Sequence, residues 1–212
     1  MKYTKDEFMK LFPSSKEVEF AESCHWDFVL IYNNCPQGVW LMWLLNEIHQ
    51  ISRMQMVQVM VACAEHVLPL FEREHPNDIR PRLAIDAAKE WILNPSEENI
   101  KKTLVAAEDA YKAFKAAAAD SNAALFSAET TTKNACAAYK VAYTAISISH
   151  AAYTARCAAC IAFYGSSFTD GLNYAIKAVS YAAEGTGDEA RKTEGKWQAD
   201  KIREIIPCPF KN

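Results

Sequence analysis

The stretch AAEDAYKAFKAAAADSNAALFSAETTTKNACAAYKVAYTAISISHAAYTARCAACIA, residues 106–162, decides the fold class. Alanine fills 22 of its 57 positions. Alanine has the highest intrinsic helix propensity, and its small side chain lets neighbouring helix axes come close. Tyr111, Phe114, Phe126, Tyr139, Tyr143 and Tyr153 punctuate the run and are placed to fill gaps between small neighbours. Strands would instead call for β-branched alternation, which the run lacks. A single helix through all 57 positions is longer than a globular domain uses, so breaks are expected at Asp120-Ser121-Asn122 and Thr130-Thr131-Thr132.

The helical pattern extends outward in both directions. Upstream, Ser96 opens the helix leading into the alanine block, and Asn94-Pro95 ends an earlier one over 79–93 with Asp78 as its expected N-cap. Before it, Gln55 to Glu74 carries apolar residues at helical spacing and stops at His75-Pro76-Asn77-Asp78. Pro36 suits a helix start, followed by the nearly all-apolar VWLMWLLNEI (39–48). Short helices are expected over Asp6–Leu11 and Ser15–Cys24. DFVLIY (27–32) has strand-like composition but no partner strand, so helix or extended linker is expected there.

Downstream, Gly165-Ser166-Ser167 closes the alanine block. Helices near 168–184 and 188–205 follow, separated by Gly185-Thr186-Gly187, and Pro207 forbids further helix. The expected architecture is all-α: an antiparallel α-hairpin bundle of about eight to ten helices with an alanine-rich core. Residues 35–212 form its main domain, and residues 1–34 form a variable segment packed on it.

A net charge of −3, from 23 Lys and Arg against 26 Asp and Glu, with the basic residues scattered, argues against a nucleic-acid binder. No uncharged apolar run reaches the roughly 18 residues of a membrane span. The amphipathic start MKYTKDEFMKLFPSSKEVEF lacks the apolar segment of a secretory leader. Seven cysteines, an odd number set mostly in apolar helices, read as free thiols in a reducing compartment. The expectation is a cytoplasmic protein that engages neither nucleic acid nor membrane.

Several constellations were weighed for chemistry. Cys63 and His66 lie one helical turn apart, as do Cys157 and Cys160, the geometry of a cross-helix zinc site. Their Ala, Val and Ile surroundings favour quiet core thiols instead. Glu22…His25 and Glu72…His75 have the spacing of a di-iron carboxylate bundle, but both sit near helix ends rather than within helices. Neither a G-x-S-x-G elbow nor a glycine-rich phosphate loop is present, so no catalytic residue is assigned and no cofactor is expected. Ser147, Ser149 and His150 fall mid-helix, where hydroxyls bond back to backbone carbonyls.

Among the five tryptophans, Trp40, Trp43 and Trp91 read as core, whereas Trp26 and Trp197 are flanked by charge and are candidate partner anchors. Arg80 and Arg82 near a helix start oppose its dipole and need carboxylate neighbours, with Asp78, Asp86 and Glu90 as candidates. Asp78, Arg80, Arg82 and Asp86 therefore join Trp26 and Trp197 as candidate partner-binding residues. For the charged four, an internal salt-bridge network is the favoured role and a partner's carboxylate the alternative.

HPNDIRPRLAIDAAKEW (75–91), preceded by VLPLFE and followed by the Ala/Tyr-rich block, resembles the bacterial immunity proteins of polymorphic toxin systems, in particular the immunity-five-like group. CPQGVWLMWLL (35–45) is similar to a Cys-x-x-Gly-x-Trp-x-x-Trp-Leu element of related sequences, with Val39 where an acidic residue is common. EGKWQADKIREII (194–206) is similar to a Glu-x-x-Trp-Gln closing helix. The resemblance covers residues 35–206. It implies an all-α, non-enzymatic inhibitor whose partner is a cognate toxin or effector enzyme, bound directly. A phage-borne inhibitor of host defence would use the same mechanism. The alternative is a small-molecule-binding or metal-dependent helical bundle. Alanine-rich faces would also suit a homodimer.

Overall fold

The computed structural model of the protein describes residues 4–11, 13–48, 51–130, 157, 160 and 187–210. Eight helices lie among them: α1 Lys5–Met9, α2 Ser15–Ser23, α3 Phe28–Asn34, α4 Gly38–Glu47, α5 Arg53–Glu74, α6 Arg80–Leu93, α7 Glu97–Thr130 and α8 Gly187–Ile205. No strand occurs among the described residues, and the protein is all-α. The helix expected near 168–184, most of the alanine-rich block and the serine–histidine cluster at 147–150 lie outside the described residues.

Of the two alternatives expected for DFVLIY the helix is found, and one expectation is corrected. DFVLIY is mostly helix α3, because Asp27 accepts hydrogen bonds from the backbone N–H groups of Val29 (2.8 Å) and Leu30 (3.1 Å) and so caps its start. The break expected at 120–122 does not occur, since α7 runs without interruption from Glu97 to Thr130. Asp, Ser and Asn each cost only about 0.5 kcal/mol in a helix interior, which the flanking alanines offset. The expected break at Thr130–Thr132 lies partly beyond the described chain.

Local chemistry sets the other starts. Ser52 accepts from the Gln55 backbone N–H (3.2 Å), and the Gln55 side chain accepts from the Ser52 N–H (2.9 Å), a reciprocal cap that opens α5. Glu7 does the same for Thr4 at α1, taking its N–H at 2.7 Å. Pro69 lies within α5 on its exposed side, and the helix continues past it.

Helix α5 is the axis of the core. Val57, Val59, Met60, Cys63, Ala64, Val67, Leu68 and Phe71 are all buried along it, against α6 on one side and α8 on another. At 22 residues it is long and apolar enough, by length and composition alone, to cross a membrane. Glu65 and His66 interrupt it, and its apolar sides face neighbouring helices. Helices α5, α6 and α7 follow one another through short turns as consecutive packed neighbours, with α6 against both α5 and α7.

The N-terminal helices join the same cluster. The Phe8 ring meets Trp26, Phe28 and Trp43 edge-on at 5.9, 5.8 and 5.8 Å. Phe210, near the other end of the chain, packs on Phe28 (5.3 Å) and Tyr32 (6.0 Å). Helix α8 is fastened to α3 and α4 by three contacts. Arg203 donates to the carbonyls of Tyr32 (3.0 Å) and Cys35, placing a cation where the last turn of α3 leaves its carbonyls unpaired. The buried Tyr32 hydroxyl donates to the Ile206 carbonyl at 2.6 Å. Gly38 lets the two helix backbones meet: a Cβ there would collide with the Gln198 Cβ and stand 3.1 Å from the Ala199 nitrogen.

Gly38→Ala is therefore expected to cost about 1–3 kcal/mol, as for overpacking of a closed helix contact, and to lower the denaturant midpoint accordingly. Tyr32→Phe is expected to cost about 1 kcal/mol or more by leaving a buried carbonyl unmet. Burial raises the Tyr32 hydroxyl from 10.0 to about 12. Its stabilisation is thus fully present below pH 10 and lost as pH rises toward 12. Melting curves of the Phe variant should lack that alkaline loss.

Candidate functional site

Two partly exposed assemblies hold most of the residues singled out in the sequence. One is the α5–α6 turn. Asp78 receives the Arg80 guanidinium through Nε (2.8 Å) and a second nitrogen (2.6 Å), and also accepts from the Arg80 backbone N–H at 3.2 Å. This bidentate grip holds the Asp78 carboxyl below the ordinary aspartate range. The helical N-cap position is Ile79 rather than Asp78, because helix geometry begins at Arg80. Arg82 is neutralised by Glu72 of α5, through bonds of 2.8 and 2.7 Å, rather than by Asp86 or Glu90. Both arginines thus answer the unfavourable helix dipole within the fold, and Glu72 is drawn away from its spacing partner His75. An open concavity of about 600 Å³ lies over the turn from Glu74 to Arg80. Asp86 lies farther along α6, exposed.

The other assembly joins α5 to α8. The Glu194 carboxylate is buried, its side chain 1% exposed, and meets the His66 Nε2 at 3.1 Å. The Gln198 side-chain amide donates to the same carboxylate at 3.0 Å. The Trp197 ring lies flat on the His66 imidazole, with centroids 3.9 Å apart and planes 13° apart. Trp197 is half-buried and His66 reaches solvent, so the stack forms a surface lid over a buried acid. Glu194, Trp197 and Gln198 follow the i, i+3, i+4 rule that puts them on one helix face. That spacing was the available signal for Glu194 and Gln198, two residues that a reading by charge and motif passes over.

The four candidate zinc ligands do not converge. Cys63 is fully buried, and burial, with the Glu194 charge added, pushes its thiol far up, so it stays protonated. His66 spends its Nε2 on Glu194. Cys157 belongs to the main core, whereas Cys160 packs with Ala84, Ala107 and Ala110 in a separate cluster between α6 and α7. Among the described residues, which include all four, no group of three or more His, Cys, Asp or Glu is arranged to hold a metal.

Trp26 lies in the α2–α3 turn. His25 and Trp26 both adopt positive φ, 54° and 59°, a conformation that non-glycine residues seldom take. The Trp26 N–H closes onto the Ala21 carbonyl (3.0 Å), and its ring packs on Phe8 beneath the Lys5 ammonium, 4.7 Å from the ring centroid. Trp26 is half-buried, with its ring engaged inside the fold.

His66→Ala should leave the buried Glu194 short of a donor and cost about 1–3 kcal/mol in urea unfolding. Adding Glu194→Gln should recover part of that loss, giving a non-additive double-mutant cycle. Additive losses would mean that the pair is not coupled.

No curated protein and no solved structure matches the chain. The family model described as "Imm-5 like putative immunity protein" does, over residues 46–205. The matched span takes in α5, α6, α7 and all of α8, together with the α5–α6 turn and the His66–Glu194 assembly. The resembling element at 35–45 precedes it, yet is packed against its closing helix through Gly38. The chain belongs to the Imm-5 like putative immunity protein family.

Proposed function

We propose that this protein neutralises a toxin by binding it directly as a folded helical scaffold, in the cytoplasm and without chemistry of its own. The observation that carries the reading is the family match across 46–205. Its support from geometry is the use to which the resembling segments are put. Gly38, Arg203 and the Tyr32 hydroxyl fasten α8 to α3 and α4, and Arg82 and Glu72 fasten α6 to α5. Those residues build a rigid body. Large apolar side chains remain outside it, among them Ile79 (57% exposed) and Leu93 (86% exposed), as a binding protein requires. A preorganised helical body loses little entropy on association, which favours tight inhibition.

The test is co-expression with the toxin encoded beside it. Growth should be restored, and the two chains should co-elute as a complex of fixed stoichiometry. Unrestored growth together with separate elution would reject the proposal.

A further inference from the structure

Helix α6 has one face that the described residues leave uncovered. Pro81, Ala84, Ile85, Ala88 and Trp91 point inward and are buried. The opposite stripe follows the alternating three- and four-residue spacing of a single helix face: Ile79, Leu83, Asp86, Glu90 and Leu93. Its apolar members are 57%, 49% and 86% exposed. Val105 of α7, 61% exposed, extends the stripe sideways. Its neighbours one turn either way face α6: Lys102 reaches Glu90 (3.7 Å), and Asp109 acts on the charge of Arg80. From Ile79 to Leu93 the stripe runs about 21 Å at 1.5 Å per residue. Its Ile79 end opens on the concavity over the α5–α6 turn.

Charge decides what the stripe accepts. The cations around it are already matched: Arg80 by Asp78, Arg82 by Glu72, Lys89 by Glu65 and Lys102 by Glu90 and Glu98. Asp86, at the midpoint, is exposed and has no ion pair or hydrogen bond among the described residues. A partner that covers Leu83 and Leu93 also takes Asp86 out of water, and an unpaired carboxylate there would oppose binding. The partner must therefore bring a cation to it. A second copy of this chain is a poor fit, because a two-fold contact centred on the stripe would set Asp86 against Asp86.

We propose that this stripe is the toxin-docking surface, and that the toxin meets it with a lysine or arginine set within an apolar rim, the cation pairing with Asp86. The proposal rests on the immunity reading above and adds the surface and the chemistry of the partner.

The experiment uses the full chain and a catalytically inactive form of the toxin encoded beside it, with binding followed by titration calorimetry and stopped-flow at several salt concentrations. Leu83→Ser should weaken binding about tenfold or more, and Asp86→Lys about a hundredfold, with melting temperatures near wild type because both positions are exposed. Asp86→Asn should flatten the fall of the association rate with salt. Met54→Ser, on α5 and away from the stripe, should bind as wild type does. Wild-type affinity in both stripe variants, or tighter binding by Asp86→Lys, would overturn the proposal while leaving the immunity reading intact. A wild-type chain that neither binds the toxin nor restores growth would remove that reading, and this surface with it.

Discussion

The close crossing of α8 over α4 and α5 is the constraint on which the remainder of the fold depends. Gly38 lets the α4 backbone reach the Gln198 Cβ, and Gly195, on the other side, lies against the Gln37 side chain. Gly38 thus sets the inter-helix distance, at which a methyl group has no room, whereas at Gly195 the flexible end of Gln37 could give way. Arg203 and the Tyr32 hydroxyl then bind backbone carbonyls across the same junction. These bonds tie the first forty residues to the last twenty, so the N-terminal aromatic cluster of Phe8, Trp26 and Phe28 shares one core with α5.

That crossing also creates the most unusual electrostatic feature of the molecule. Bringing α8 onto α5 buries Glu194, and a buried carboxylate persists only where donors meet it. His66 and Gln198 supply them, and Trp197 covers the imidazole. Charge here specifies how α8 is seated: sliding it by one residue would carry Glu194 and Gln198 together away from His66. Cys63, beneath the same carboxylate, stays a neutral thiol and acts as a small apolar filler.

On the other side of α5, ion pairs do the fastening. Arg80 and Arg82 stand at a helix start, where cations are unfavourable, and each is held by a two-pronged carboxylate contact. Matching the charges within the fold leaves the outward stripe of α6 with apolar side chains and one unmatched carboxylate. The division suits a binding protein. The inward residues of the resembling segment 75–91 build the frame, and its outward residues carry the stripe.

The sequence by itself determined the class of structure. Alanine content and helical spacing in 55–74, 79–93 and 97–119 depend on local propensity and periodicity, which act over a few residues and can be read in order. They led to both ends of α5 and α6 and to the start of α7 within a residue or two. Where a local signal was finely balanced, it misled at Asp120-Ser121-Asn122, which resembles a break but is carried by its alanine neighbours; DFVLIY, of strand-like composition, left helix and extended linker open until the capping by Asp27 decided for helix. Tertiary structure alone decided which charges meet. Glu72 with Arg82, His66 with Glu194, and Arg203 with the end of α3 join residues separated by 10, 128 and more than 160 positions, and no periodicity encodes such pairings. It also decided which apolar residues stay outside, because exposure of Leu83 or Val105 depends on where neighbouring helices lie rather than on the residues themselves.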